Sequence, residues 1–195
     1  RLVGSEMCIR DSGYAVYHYF ANGGQTAYVT RVVDATAVKA SGAISATPTG
    51  GSSAPLLFFV AKSAGTWANS VTVSMTYQEE TLIDPTTAPK AVLGSLFSVS
   101  VALNGTEVES WPGLSLDPSN NRYVETILDL YSSYVTSASV ATIASGTQLT
   151  VTGVSSPAYT ASVTLTGGSE GSGAIDSSDW ATALSAHTTI TSGLL

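Results

Sequence analysis

The chain has 195 residues, of which 44% are hydrophobic and only 11% are charged, and its formal net charge is −7. The apolar content is enough for a hydrophobic core and the seven lysines and arginines form no cluster, which argues against general disorder and against nucleic-acid binding. The longest apolar run, Pro55–Ala61, is far shorter than the ~20 residues of a membrane-spanning helix, so no such segment is expected.

Residues 1–12 resemble a translated sequencing-adapter remnant, a string that recurs at the ends of unrelated reading frames. We therefore set this segment aside when predicting the fold, as one would set aside a cloning scar. A genuine native segment is the alternative. On the first interpretation Cys8 has no biological meaning, and a different native segment is expected before Gly13.

The first structured region expected is an α/β segment with a linker, residues 13–54. Aromatic residues at helical spacing predict a helix over Gly13–Ala21, which the following Asn-Gly-Gly closes because Asn and Gly readily adopt the left-handed conformation. β-branched and aromatic residues predict a strand over Thr26–Val33. The small and polar residues of Asp34–Ala54 predict a linker or a long excursion.

Residues 55–164 are predicted to form an inserted antiparallel β module, either a small barrel or a sandwich. Alternation of apolar and polar residues predicts strands over Ser70–Tyr77 and Phe97–Leu103. The dipeptide Asn104-Gly105 follows, and it is the strongest two-residue hairpin signal. The other strands predicted here are Leu56–Ala61, Thr106–Trp111, Gln148–Val154 and Ala158–Leu165.

One helix is predicted inside this module, near residues 118–133. Asp117 is a favoured capping residue, and Pro118 is a favoured residue at the first helical position. Apolar residues then repeat at helical spacing. The module is therefore expected to contain a helix as well as strands.

Residues 165–195 are predicted to contain a loop followed by a helix, and the expected fold class of the chain is α+β. Thr166–Gly173 predicts a flexible glycine-rich loop, and the acidic residues after it predict a capped helix beginning near Trp180. The apolar ending over Ile190–Leu195 predicts the start of another strand, and we expect that it marks a truncation.

The sequence contains no pattern that is typical of catalysis or of metal binding. His18, His187 and Cys8 stand apart from one another, so no metal-ligand spacing exists. The glycine-rich loop contains no lysine and therefore lacks the motif of a phosphate-binding loop. We expect no catalytic residue, no cofactor and no metal, and we predict that the chain is not an enzyme. A Ser–His–Asp triad stays open, but nothing points to one.

Two further groups of residues have a structural and a functional interpretation. Glu107 and Glu109 share one face of a predicted strand, where paired carboxylates are more often a solvated surface than a catalytic pair. Trp67, Trp111 and Trp180 are scattered along the chain, and we expect each to anchor the core. Neither group is therefore predicted to bind a ligand.

Four stretches together resemble, in the family's order, the tail sheath proteins of contractile-tailed phages and contractile injection systems. The stretches are Tyr19–Val32, Ser63–Val73, Val108–Glu125 and Leu165–Gly171. Val108–Glu125 is the most specific because it fixes many positions at once, whereas Ala68 replaces the glycine that is usual in the family. The signature residues that carry the resemblance are Phe20, Asn22, Gly23, Gly24, Tyr28, Arg31, Gly65, Trp67, Asn69, Leu114, Ser115, Asp117, Arg122, Tyr123, Gly167, Gly168 and Gly171.

The resemblance implies a structural subunit of a virion, made in the host bacterial cytoplasm. Its partners would be other sheath subunits, stacked as hexameric rings in a helical tube, and the tail tube protein inside them. Contraction would drive that tube through the target cell envelope. The domain that begins after the glycine-rich loop would have a subtilisin-like α/β fold. The terminal arms that link neighbouring subunits are expected to be absent, so we expect that this chain cannot build a sheath alone.

Two other classes of function stay open at this point. A β-rich carbohydrate-binding or adhesin-like surface module would use Trp67 and Trp111 to stack on sugars, and a glycan array would detect it. A hydrolase is suggested by the fold label of the family alone, and labelling with a serine-reactive probe would detect it. The sequence favours the sheath subunit over both.

Overall fold

A computed structural model describes residues 3–48, 52–77, 90–91, 95–139, 149–151 and 160–185. The chain divides into two compact units, residues 1–32 together with 176–195, and residues 33–175. The helices are α1 (Val3–Ala21), α2 (Val124–Tyr131) and α3 (Ser177–Ser185). The strands are β1 (Ser41–Pro48), β2 (Ala54–Ala61), β3 (Val71–Tyr77), β4 (Lys90–Ala91), β5 (Phe97–Leu103), β6 (Thr106–Leu114), β7 (Val135–Ser139), β8 (Leu149–Val151) and β9 (Thr160–Thr164). These helices and two antiparallel sheets confirm the predicted α+β class.

The first unit contains α1 and α3. The helix predicted over Gly13–Ala21 is confirmed, and α1 begins earlier, at Val3. The strand predicted over Thr26–Val33 is wrong, because this segment pairs with none of the described strands. β-propensity reflects the fit of a side chain to a half-buried pleated surface, and here Tyr28 and Val29 are 68% and 75% exposed.

A five-stranded antiparallel sheet in the second unit has the order β4-β8-β1-β2-β7. Its strand β1 lies inside the segment that was predicted to be a linker, residues 34–54, and that prediction is wrong. β1 pairs with β2 on one side and with β8 on the other. Its Gly42 lies so close to β9 that an added Cβ would come within 2.8 Å of Val163 Cγ2. Packing across the molecule therefore gives this weakly apolar segment its strand.

A four-stranded antiparallel sheet has the order β6-β5-β3-β9. The strands predicted over Ser70–Tyr77 and Phe97–Leu103 are confirmed, and every second residue of β3 is buried as expected. The hairpin between β5 and β6 is also confirmed. Asn104 and Gly105 have φ values of 51° and 78°, and positive φ at both central residues is what a type I′ turn requires.

The outer face of this sheet carries hydroxyl groups that bond in pairs across β3 and β9. Thr72 pairs with Thr164 at 3.0 Å and Ser74 with Ser162 at 2.9 Å. Thr76 pairs with Thr160 at 2.7 Å. Buried apolar residues of both sheets belong to one hydrophobic cluster, so the two sheets have the arrangement of a sandwich.

Helix α2 closes part of this core with the fully buried Val124 and Leu128. The predicted helix was longer, near residues 118–133, so α2 begins later and ends earlier than predicted. Asp117 caps a turn instead, since its Oδ1 accepts the N–H of Ser119 at 2.9 Å. The residue before α2 is Tyr123, which makes no side-chain capping bond.

The last predicted elements are confirmed where the structure describes them. β8 and β9 lie within the strands predicted over Gln148–Val154 and Ala158–Leu165, whose remaining ends are partly outside the described residues. Helix α3 begins at Ser177, slightly before the expected start. The strand predicted over Ile190–Leu195 and the position of His187 lie outside the described residues. The predicted domain boundaries and the subtilisin-like domain stay predictions.

Candidate functional site: two clusters of signature residues

Three segments that are distant in sequence meet within the second unit, and we call this place the loop junction. It is formed by residues 34–41, which lead into β1, by residues 65–70, which connect β2 to β3, and by residues 165–173, which follow β9. Because β1 and β2 belong to one sheet and β3 and β9 to the other, the junction lies where the chain crosses between the sheets.

The centre of the loop junction is a reciprocal pair of hydrogen bonds between Asn69 and Gly168. The Gly168 N–H donates to Asn69 Oδ1 at 2.8 Å, and Asn69 Nδ2 donates to the Gly168 carbonyl oxygen at 2.9 Å. A Cβ on Gly168 would overlap the carbonyl oxygen of Gly65 and would lie 3.0 Å from the Ala40 Cβ. This position therefore requires a glycine.

Backbone and side-chain bonds extend this contact along the loop. The backbone groups of Val38 and Ser169 bond to each other in both directions, at 3.1 and 3.0 Å. Glu170 Oε1 accepts the backbone N–H of Thr66 at 3.0 Å, at the start of the short 3-10 helix Thr66–Ser70. Gly65, just before that helix, has a φ of 130° that favours glycine.

The far end of the glycine-rich loop encloses a buried carboxylate. Asp34 is 9% exposed, and its Oδ1 accepts the backbone N–H of Thr36 at 2.7 Å. A Cβ on Gly171 would lie 2.5 Å from Asp34 Oδ1, and one on Gly173 would overlap Oδ2. Ser172 between them donates its N–H to Thr36 Oγ1 at 3.1 Å. The loop is thus shaped around this aspartate.

A second cluster of signature residues lies within residues 112–124, and we call it the Arg122 turn. Arg122 Nε donates to the Gly113 carbonyl oxygen at 2.9 Å, and its Nη2 donates to that of Pro112. The fully buried Ser115 exchanges backbone bonds with this segment, donating to the Arg122 carbonyl and accepting from the Val124 N–H, both at 3.0 Å. The guanidinium therefore organises a backbone turn.

Two other signature residues complete the Arg122 turn. Leu114 is fully buried and belongs to the core. Burial, together with a hydrogen bond and the charge of Glu125, raises the pKa of Tyr123 to about 12.

The signature residues of the first unit form the end of α1. Asn22 donates both its backbone N–H and its Nδ2 to the His18 carbonyl oxygen, at 3.0 and 2.7 Å. The N–H of Gly23, which has a φ of 89°, donates to Phe20, and the N–H of Gly24 donates to Tyr19. These bonds close the helix as predicted. Tyr28 and Arg31 lie in the segment that follows α1.

One polar contact was missed from the sequence. Glu109, expected on a solvated face, accepts the Ser132 hydroxyl at 2.6 Å and the Ser133 N–H at 2.7 Å. It thereby ties β6 to the end of α2. No short-range signal could identify it, because the partners lie 23 and 24 positions away. Glu107 is exposed, as predicted.

Two of the three tryptophans, Trp67 and Trp111, pack against the hydrophobic core. Trp67 packs against Tyr134 with ring centroids 6.2 Å apart, and Trp111 packs against Tyr131 at 6.4 Å. Both are partly buried against the core, and the indole N–H of Trp111 is buried. Trp180, by contrast, is 54% exposed on α3, so the expectation that it anchors the core is wrong.

Among the described residues, no group of three or more His, Cys, Asp or Glu side chains could hold a metal ion. A helix long and apolar enough to cross a membrane is likewise not found in that part of the chain. The polar signature side chains described above bond chiefly to backbone groups of the chain itself. The arrangement can fix backbone geometry.

No protein-family model and no curated protein matches the chain. Solved structures that match include a sheath tail protein from Desulfitobacterium hafniense, 17% identical with a TM-score of 0.38, over 80% of this chain and 26% of that one. Another is a sheath tail protein from Listeria innocua, 16% identical with a TM-score of 0.41, over 80% of this chain and 24% of that one. The chain therefore spans about a quarter of the length of these structures.

Proposed function

We propose that the chain is part of a structural subunit of a contractile tail sheath. Such a subunit polymerises with other copies around a tail tube protein and contracts to drive that tube through a target cell envelope. The observation that carries the proposal is the set of four ordered sequence stretches, above all Val108–Glu125. Its location would be the virion.

The use of the signature residues supports a structural role. Asn69, Gly168 and Arg122 act on backbone groups, and the two motifs Ser63–Val73 and Leu165–Gly171 meet at the loop junction. Residues that hold two sheets and a turn in place provide a stiff body. A stiff body is what a subunit needs when it transmits force between two alternative packings with its neighbours.

The mechanism requires no bound nucleotide, because the energy is stored in the difference between an extended and a contracted packing. The predicted β module, residues 55–164, would be an outward-facing part of the subunit. Its hydroxyl-bearing sheet face suits such a position because it is polar and uncharged.

Immunoelectron microscopy tests this function on particles from a culture that carries the reading frame. Antibodies raised against the purified chain should label contractile tails along their whole length. As a control, antibodies preadsorbed with the chain should give no label. Label at fibre tips or on the bacterial surface would contradict the sheath proposal and favour an adhesin.

A further inference from the structure

The chain contains the dipeptide Asn-Gly twice, in two different surroundings. Asn22-Gly23 ends α1, and Asn104-Gly105 forms the turn between β5 and β6. In such a dipeptide the backbone nitrogen of glycine can attack the carboxamide carbon of asparagine, because glycine has no Cβ to obstruct the approach. The two sites have the same dipeptide, so a difference in their reactivity would come from the fold.

At Asn22-Gly23 both reacting groups are held by hydrogen bonds. The carboxamide nitrogen of Asn22 donates to the His18 carbonyl oxygen at 2.7 Å. The backbone N–H of Gly23, the nucleophile, donates to the Phe20 carbonyl oxygen at 3.1 Å. Attack requires both bonds to break, which means opening the last turn of the helix.

At Asn104-Gly105 neither reacting group has a hydrogen-bond partner among the described residues. The turn is fixed instead by the backbone N–H of Asn104, which donates to the Ser70 carbonyl oxygen at 3.1 Å. Asn104 is exposed, and no heavy atom lies within 4 Å of the place where a Cβ on Gly105 would stand. Water therefore has access to the carboxamide and to the attacking nitrogen.

We propose that Asn104 is a site of non-enzymatic deamidation and that the fold protects Asn22 from the same reaction. The Gly105 nitrogen loses its proton to solvent and forms a bond to Asn104 Cγ. The bond from Cγ to Nδ2 then breaks and ammonia leaves, which gives a five-membered succinimide ring. Water opens the ring at either carbonyl and yields aspartate or isoaspartate.

The two products affect the hairpin differently. Aspartate keeps the length of the main chain and adopts positive φ about as readily as asparagine. Isoaspartate adds a methylene group to the main chain between two residues that must both keep positive φ for a type I′ turn. The pairing of Leu103 with Thr106 should loosen in the isoaspartate form, while the aspartate form keeps it.

The test is ageing of the full folded chain in mildly alkaline buffer, followed by peptide mapping with mass spectrometry. The peptide that contains Asn104 should gain the mass difference between a carboxamide and a carboxylic acid. We expect Asn22 to convert roughly tenfold or more slowly, because two protective hydrogen bonds must open first. Isoaspartate is distinguished from aspartate by enzymatic methyl labelling, with Asn104→Asp as the reference for the aspartate product.

The same chain in denaturant is the matched control, because both asparagines then lose their folded surroundings. The two conversion rates should converge there. Equal rates at the two sites in the folded chain would overturn the proposal, and so would faster conversion of Asn22. An unreacted Asn104 in the folded chain, with both sites reacting in denaturant, would overturn it as well.

Discussion

The loop junction and the Arg122 turn both rest on hydrogen bonds from polar side chains to the backbone, but the spans of chain they join differ by an order of magnitude. Asn69 and Gly168 are 99 positions apart, and Thr36 and Ser172 are 136 apart. Arg122 reaches back 9 and 10 positions. Bonds of the first kind hold together parts that the unfolded chain keeps far apart. A substitution at the loop junction should therefore destabilise contacts throughout the second unit, whereas one at the Arg122 turn should destabilise only residues 112–124.

The largest effect is expected from Gly168→Ala, which tests the junction at its tightest point. The added Cβ would overlap the Gly65 carbonyl oxygen, which is a backbone atom and cannot rotate away. We expect a loss of about 3 kcal/mol in the free energy of unfolding, the upper part of the range for overpacking. Urea unfolding followed by tryptophan fluorescence measures it.

A matched control is Gly13→Ala in α1, where nothing lies within 4 Å of the added Cβ. Alanine in a helix is favoured over glycine by about 1 kcal/mol, so this variant should not destabilise the chain. Equal losses from both substitutions would mean that the close contact at Gly168 is not the cause.

The second-largest loss of stability is expected from Asn69→Ala, which removes the reciprocal hydrogen bonds with Gly168 without adding a bulkier side chain. The N–H and carbonyl groups of Gly168 lose their partners, and we expect a loss of about 2 kcal/mol in the free energy of unfolding. Hydrogen exchange should quicken on both sides of the junction, near Val38 and near Ser169. Asn121→Ala at an exposed position is the control, and no more than about 0.5 kcal/mol is expected there. Faster exchange confined to residues 65–70 would contradict the long-range role.

A smaller and local effect is expected from Arg122→Gln. The substitution removes two bonds to backbone carbonyls at an exposed site, and we expect a loss of about 1 kcal/mol. Hydrogen exchange should quicken within residues 112–124 and stay unchanged at the loop junction. If exchange at Gly168 also quickened, the contrast between the two clusters would fail.

The smallest effect is expected from acid, which should release the hydrogen bonds that cap the start of α3. Asp176 Oδ1 accepts the N–H groups of Ser178 and Asp179, and bonds from Ser178 and Asp179 lower the pKa of this carboxyl group below its ordinary value of 3.8. A depressed pKa in the folded state stabilises the helix above the ordinary pKa, and this contribution is lost as pH falls through the folded value. NMR titration of the Ser178 amide should show the cap released in strong acid.

Asp176→Asn is the control for that titration, because asparagine also caps helices but does not titrate. The Ser178 amide of the variant should keep its shift through the same acid range. A titration that survives the substitution would mean that Asp176 is not the group responsible for the acid response.

The sequence predicted the four-stranded sheet well because its signals are local. Alternation in β3 and β5 and the Asn104-Gly105 turn each lie within a few residues, so periodicity is sufficient to read them. β1 gave no such signal, since it contains mainly small and polar residues. Its strand depends on pairing with β2 and β8 and on the approach of Gly42 to β9, which are contacts between distant parts of the chain.

The candidate site also divides into features that could be predicted from the sequence and features that could not. The closure of α1 at Asn22 and the capping residues of α3 could be predicted, because their partners lie three or four positions away. The helix near Asp117 was misplaced, because an aspartate that caps a turn looks the same in sequence as one that caps a helix. That Asn69 meets Gly168 could not be foreseen from spacing.

The hydrogen bond between Thr36 and Ser172 brings the beginning and the end of the second unit, residues 33–175, side by side. A chain segment whose two ends meet can be inserted into another protein at a single surface position without stretching its host. The same property allows circular permutation: residues 33 and 175 could be joined by a short linker and new ends opened at the Asn104-Gly105 turn. Evolution could exchange such a module between hosts as one piece.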